Sequence, residues 1–496
     1  MTRPSKMQAV SSPLDRQAAC PSCGATITFK FAGARAVVCE YCKFAIARTD
    51  RGLHPMGRMA ELLEIPTPLQ VGVTGTWGEE QFEVEGRIQM DRAGAPGAPW
   101  QEILVAFPMS GRSTWVAYAQ GRWYATNDAE LPPGGVPAIS ALGPGSDVDL
   151  GPHGTWVVSE VGQRRVVSGE GAMTTVPTPG VVTRYADISA QGGGFGTIDY
   201  GDGTQQPELY LGRQFDPRSL KLDSGLPLEA PEGKAAVVEC PNCGGDLPLL
   251  SQQAERIICQ YCGTASDVRE GNLAALGPAP RPPIQPYVPI GAEGDVRGEH
   301  YTVCGFVIRS CMVEGVVYSW REYLLFGGDH VGYRWLMEED GKWSFAESVE
   351  AGDVTDLGHM AMLGGRPHNF KQQVQAKVDY VVGEFYWKIE IGETVDATEF
   401  QGPDGKLSRE RTATEVNYSF VTPLALHELQ AFGVAPPAGA GLIGAGFGGD
   451  DEESGGCRNI LGTVVTIIIV IIWVMMEVDG CGGFVGGGYS GGGWSK

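Results

Sequence analysis

Positive charge is scarce in this sequence: 37 lysines and arginines stand against 59 aspartates and glutamates, a net charge of -22. Such a chain is a poor partner for nucleic acid, because phosphate binding draws on clustered Lys and Arg. Catalytic signatures are missing too. No phosphate loop ends in Gly-Lys-Ser or Gly-Lys-Thr, no His-Glu-x-x-His occurs, and no Gly-x-Ser-x-Gly elbow is set between a strand and a helix. The seven histidines are scattered, with none at ligand spacing. Gly439-Ala-Gly-Leu-Ile-Gly444 fits the dinucleotide fingerprint as letters only, since it lies in a Pro- and Ala-rich linker with no strand before it. The first residues lack an apolar signal-peptide core, so free thiols in a reducing compartment are expected.

Twelve cysteines are present, and eight of them form a pattern. Cys20-Pro21-Ser22-Cys23 is answered by Cys39-Glu40-Tyr41-Cys42, and the arrangement returns at Cys240-Pro241-Asn242-Cys243 and Cys259-Gln260-Tyr261-Cys262. Each set has two residues inside a pair and fifteen between pairs, and the sets are 220 residues apart at all four cysteines. Two such turns brought together make a tetrahedral sulfur cage, so two structural zinc ions are expected, iron being the other metal that suits four thiolates. Paired disulfides would need an oxidising compartment, and a redox dithiol would need one pair rather than four. Gly24, Gly244 and Gly263 suit the positive backbone torsion of a metal knuckle, while Lys43 stands where a fourth glycine would be.

The remaining chain reads as strand and turn. Hydrophobic residues make up 43%, charged residues only 19%, and 72 glycines and 33 prolines favour short strands over long helices. The length implies three or four folded units. Strands are expected over 81–90, 100–107, 113–119, 122–126, 155–161, 164–168, 181–188, 195–200 and 208–211, a short helix over 56–65, and a hairpin turn over 192–203. Gly72, Gly75 and Gly86 recur as Gly291, Gly294 and Gly305, and Trp100, Glu102, Trp115, Gly121 and Trp123 recur as Trp320, Glu322, Trp335, Gly341 and Trp343. The unit duplicated is therefore a ribbon plus a β domain, with the tryptophans as buried anchors.

The fold class expected is mainly β: two zinc ribbons (18–50 and 236–270), two β-sandwich or barrel-like domains (66–215 and 290–432), and one C-terminal transmembrane helix. A mobile segment over 1–17 and a semi-rigid Pro-rich linker over 271–289 complete the N-terminal parts. A Gly/Ala and acidic linker spans 433–458. Residues 459–476 contain no charge and as a helix would extend about 27 Å, enough to span a hydrocarbon core. A Gly-rich tail covers 477–496. Arg458 before the span and Glu477 and Asp479 after it place the large N-terminal part in the cytoplasm. Cys304 and Cys311 are expected to pack at opposite ends of a hairpin, and Cys457 is a juxtamembrane lipidation candidate.

Trp320-Arg-Glu-Tyr-Leu-Leu325, Tyr333-Arg-Trp-Leu336, Gly341-Lys-Trp343 and Glu415-Val-Asn-Tyr418, following ribbon cysteines, resemble the domain of unknown function 4178 family in two copies. The resemblance implies a bacterial, ribbon-bearing or membrane-associated protein without an established activity. It also implies neighbours among small membrane proteins and polyamine aminopropyltransferase-like proteins. The function expected is a non-catalytic adaptor or scaffold binding protein partners at the cytoplasmic face of the membrane. Two other classes stand beside it. Residues 1–58 carry nine Lys or Arg against three Asp or Glu, so this ribbon, with Phe29, Phe31 and Tyr41 to stack on bases and Arg35 and Lys43 for charge, is the nucleic-acid alternative. An enzyme would use Glu322, Glu393 or Glu415 in the second β domain, with Glu102 matching Glu322 in the first.

Overall fold

The computed structural model describes residues 16–433, apart from 32, 63–66, 94–99, 120–121, 227, 229–235, 252–253, 270–271, 279–285, 329–330. The linker 433–458 after its first residue, the apolar stretch 459–476, the tail 477–496, Cys457 and the core of the Pro-rich linker lie outside the described residues. Among the described residues no helix is long and apolar enough to cross a membrane. The longest apolar run of the sequence is thus not among the elements described here.

Eight antiparallel strands close the first barrel: β1 (Glu80–Arg92), β2 (Trp100–Phe107), β3 (Arg112–Ala119), β4 (Arg122–Ala129), β5 (Thr155–Met173), β6 (Val182–Ala190), β7 (Gly194–Gly201) and β8 (Glu208–Phe215). Around the barrel they run β1-β2-β3-β4-β8-β7-β6-β5, and β5 pairs back onto β1. Two meanders therefore meet twice, and no barrel strand keeps an open edge. The second barrel repeats this order with β9 (Glu299–Val313), β10 (Val316–Phe326), β11 (Tyr333–Glu339), β12 (Lys342–Val349), β13 (Arg366–Phe385), β14 (Thr394–Gln401), β15 (Lys406–Arg411) and β16 (Val416–Pro423). Of the two expected architectures, the barrel is the one formed.

Closure depends on a glycine pair repeated in each copy. Gly86 of β1 lies opposite Gly171 of β5, and Gly305 of β9 lies opposite Gly383 of β13. A Cβ on Gly171 would stand 2.1 Å from the Glu85 carbonyl, and one on Gly383 would stand 2.2 Å from that of Cys304. Only glycine lets these backbones approach so closely. Next to the pair, the β1 register slips between Val84 and Gly86. One extra residue turns the strand over, so Phe82 and Val84 pack outward with Ile103 and Val105 while Ile88 and Met90 face Leu104 and Trp115.

The ribbons are extensions of the barrels. Ala36–Val38 pairs with the end of β5, and Arg256–Ile258 pairs with the end of β13, so each ribbon sheet continues a barrel strand. The two modules also touch. Arg122 pairs with Glu350, which also accepts from the Tyr124 hydroxyl at 2.8 Å, and the Gly352 amide donates to Ser189 Oγ at 2.8 Å.

Three local expectations are corrected. Met56 to Arg58 belong to the strand Gly52–Arg58, not a helix, because this segment bonds to Phe44–Thr49 as a third ribbon strand. Residues 192–203 turn at Gly192 and Gly193 and again at Asp202 and Gly203, but Gly194–Gly201 between them is a barrel strand. Cys304 and Cys311 share strand β9, where Cys304 is buried against the Leu324 carbonyl and Cys311 is half-buried further along.

Candidate metal centres and barrel interiors

In each ribbon a hairpin brings the first cysteine pair beside the second. The first centre takes Cys20 and Cys23 from the turn between Arg16–Ala19 and Thr26–Phe29, and Cys39 and Cys42 from the turn before Phe44. Cys20 Sγ lies 3.8 Å from Cys42 Sγ, and Cys23 Sγ lies 3.7 Å from Cys39 Sγ. In the second centre Cys240 to Cys262 is 3.6 Å and Cys243 to Cys259 is 3.7 Å. All four sulfurs of each group lie within 4.8 Å of one another, so each group can hold a metal ion. A tetrahedron of thiolates at metal–sulfur bonds of about 2.3 Å has edges of about 3.8 Å, whereas a disulfide would bring two sulfurs to about 2.05 Å. The spacing is that of a metal cage.

The knuckle backbone follows from the residues after the cysteines. Gly24, Gly244 and Gly263 have φ of 78°, 68° and 73°, and their amides donate to the carbonyls of Cys20, Cys240 and Cys259. Lys43 makes the same bond to Cys39 with φ of 59°. At the second centre the Thr264 hydroxyl lies 3.2 Å from Cys262 Sγ and holds that thiol down at about 5. The amides of Tyr261 and Cys262 donate to Cys259 Sγ at 3.4 and 3.5 Å. Donors of this kind stabilise thiolate charge, as a ligand set requires.

The recurring Trp-x-Glu motif supports an ion pair in both barrels, with Glu102 half-buried and Glu322 buried. Trp100 Nε1 donates to Glu102 at 3.4 Å and Trp320 Nε1 to Glu322 at 2.6 Å. Glu102 meets Arg164 of β5, while Glu322 meets Arg309 of β9 at 3.0 Å, so different strands supply the guanidinium. Burial raises both carboxyls, and the neighbouring arginine opposes the rise. Glu410 approaches Arg309 at 3.7 Å. Glu393 accepts from the Glu390 amide, and the backbone of Glu415 forms an antiparallel β-bridge with that of Glu160 of the other module. Glu322, Glu393 and Glu415 therefore serve different local contacts, with no nucleophile–base hydrogen bond linking them among the described residues.

Of the aromatics expected to stack on bases, Phe29 is buried beneath Arg48 and Phe31 packs on the ribbon core, leaving Tyr41 exposed at 78%. Arg35 is tied to Glu208 at 3.2 Å.

The barrel interiors differ. In the second, Tyr386 and Trp387, directly after β13, stack on Tyr333 at 4.4 Å and on Trp335 at 5.9 Å. Arg256 of the ribbon, paired with Asp267, holds this segment through the Ile389 carbonyl at 3.1 Å. Counting from the closing glycines, Thr174 and Thr175 take those two places in the first barrel. Trp115, the counterpart of Trp335, there donates to Thr174 Oγ1 at 3.1 Å. Two threonines do not fill the space of two aromatic rings, and the interior of the first barrel joins a cavity of about 1220 Å³ whose wall is completed by Glu255, Glu350, Tyr386 and Glu415 of the second module. Arg164 crosses it, bound to Glu102 at 3.3 Å and Asp199 at 2.7 Å. Asp187 accepts from Thr197 at 2.7 Å, and burial pushes it up to about 7, with Glu160 adding to the rise. The sequence reading missed Asp187, Arg164 and the threonine pair; alignment of the two copies on Gly171 and Gly383 is the signal that finds the last.

Fold and sites together define a tandem of closed eight-stranded barrels, each preceded by a four-cysteine group. The family described as Domain of unknown function (DUF4178) matches residues 70–217 and 289–422, more than half of the chain. The chain belongs to that family, in two copies, with the cysteine groups outside the matched segments. No curated protein and no solved structure matches it.

Proposed function

We propose that this protein is a non-catalytic scaffold whose two ribbons each hold a structural zinc ion, moored to a membrane by residues 459–476 and presenting its barrels to protein partners at the cytoplasmic face. The observation that carries the reading is the closure of each centre by four sulfurs at tetrahedral spacing. A cage with four protein ligands leaves no position for water or substrate, so its metal staples the fold. Docking of each ribbon onto a barrel strand supports the same role, since metal binding then organises the partner-facing body. Duplication and a membrane anchor both raise the local concentration of binding surfaces.

Elemental analysis of anaerobically prepared full-length protein should return two zinc ions per chain, one for each group. The full chain should fractionate with membranes, and a chain ending at residue 458 should not. Metal-free material, or membrane retention without 459–496, would overturn the corresponding half of the reading.

A further inference from the structure

The cavity into which the first barrel's interior opens is large enough for a small ligand, its whole volume lying just above the usual range for such sites. Strand alternation builds its far wall. Ala186, Ile188 and Ile198 pack with Val148 and Leu150 on one face, so Tyr185, Asp187, Thr197 and Asp199 face the cavity. Its near wall is apolar and aromatic, with Ile88, Met90 and Trp115. Exposed Asp202, Gln205 and Gln206 also line it, and give it a way to solvent.

Charge selects the ligand. Six carboxylates of the first barrel, Glu102, Glu160, Asp187, Asp199, Asp202 and Glu208, and three of the second module line the cavity against three guanidinium groups and no lysine. Each of the three is already engaged: Arg164 with Glu102 and Asp199, Arg92 with Glu160 at 3.6 Å, and Arg35 with Glu208. Asp187 feels the Arg164 charge but forms no ion pair within 4.0 Å among the described residues, and its bond from Thr197 occupies one oxygen. The cavity therefore offers acceptors and negative charge without a free cation to receive an anion. Tyr185 already lies under the Arg164 guanidinium at 5.2 Å, and Tyr124 and Phe195 stack at 4.5 Å as further ring surface.

We propose that the lumen of the first barrel is a binding site for a small organic cation, an ammonium group on an apolar body, with Asp187 as its counter-charge. The second barrel does not share the site, because Tyr386 and Trp387 fill the corresponding space. This inference is independent of the scaffold reading and of the metal in the ribbons.

Three probes of one chain length separate the possibilities: hexylammonium, hexan-1-ol and hexanoate, titrated calorimetrically into the intact protein at pH 8, where Asp187 is ionised. Hexylammonium should bind at least tenfold more tightly than either of the others. Asp187→Asn should remove most of that preference, and Thr175→Trp, copying the second barrel, should abolish binding with unchanged metal content and near-ultraviolet circular dichroism. If Thr175→Trp fails to fold, Asp187→Asn carries the test alone. Equal binding of hexanol or hexanoate, no binding of any probe, or full hexylammonium affinity in Asp187→Asn would overturn the proposal.

Discussion

At residue scale, Lys43 and Gly263 share one place in the two knuckles but not one cost. A non-glycine residue at φ of 59° is strained by about 1–2 kcal/mol, and glycine recovers that while losing up to about 1 kcal/mol to unfolded-chain freedom. Lys43→Gly should therefore stabilise the first ribbon, and Gly263→Lys destabilise the second, by about 1 kcal/mol each. Chelator-midpoint shifts of opposite sign check this. If the lysine charge beside four thiolates outweighed backbone strain, both signs would reverse. Glu384 presents a different balance. Its oxygens accept the amides of Leu250 and Ser251 at 2.7 and 2.9 Å, yet burial pushes it up to about 7. The folded chain then holds a proton that the unfolded chain releases near pH 4.5, so this group's contribution falls as pH rises from about 4.5 to about 7. Glu384→Gln should flatten that fall in denaturant titrations at pH 5 and pH 8. An unchanged slope would mean that the two amides keep the carboxylate ionised.

At the scale of elements, the closing glycines govern the barrels. Gly383 has φ of 98° and no room for a Cβ, so Gly383→Ala should open the seam between β9 and β13 and destabilise the second barrel by several kcal/mol. Loss of protection of amides along 305–310 in hydrogen exchange, with 86–90 unaffected, is the expected signature. Much of this level was legible in the sequence. Trp100–Phe107 alternates between a covered outer face and the barrel interior, and the eight cysteines announce their partners by spacing alone. What was not legible depends on distant contacts. Met56 and Met59 suggest a helical face, but backbone bonds to Phe44–Thr49 decide the strand. Thr155–Met173 reads as two strands because Gly162-Gln163 interrupts the pattern, while the backbone runs on unbroken, with register slips after Val158 and after Val166. The hollow lumen was hidden for another reason: it comes from what Thr174 and Thr175 fail to fill.

At the scale of the whole molecule, ribbon and barrel share a seam. Gly383 pairs with Ile258 on the ribbon side and with Gly305 on the barrel side, so one residue joins the ribbon strands to the barrel-closing strands. A structural zinc site contributes on the order of 10 kcal/mol to the folding of a small domain, far more than the few backbone bonds between ribbon and barrel. Loss of the ion should therefore unfold the ribbon and leave the end of β13 with an unpaired edge. Cys259→Ser should lower the metal content from two ions per chain to one and speed amide exchange at 383–385. The first module has its own four-cysteine group and its own closing pair, and amides at 86 and 171 should stay protected. If 383–385 kept full protection after the second ion was lost, the ribbon would be a passenger on the barrel. If 86 and 171 lost protection too, the contacts through Glu350 and Gly352 would bind the two modules into one cooperative unit.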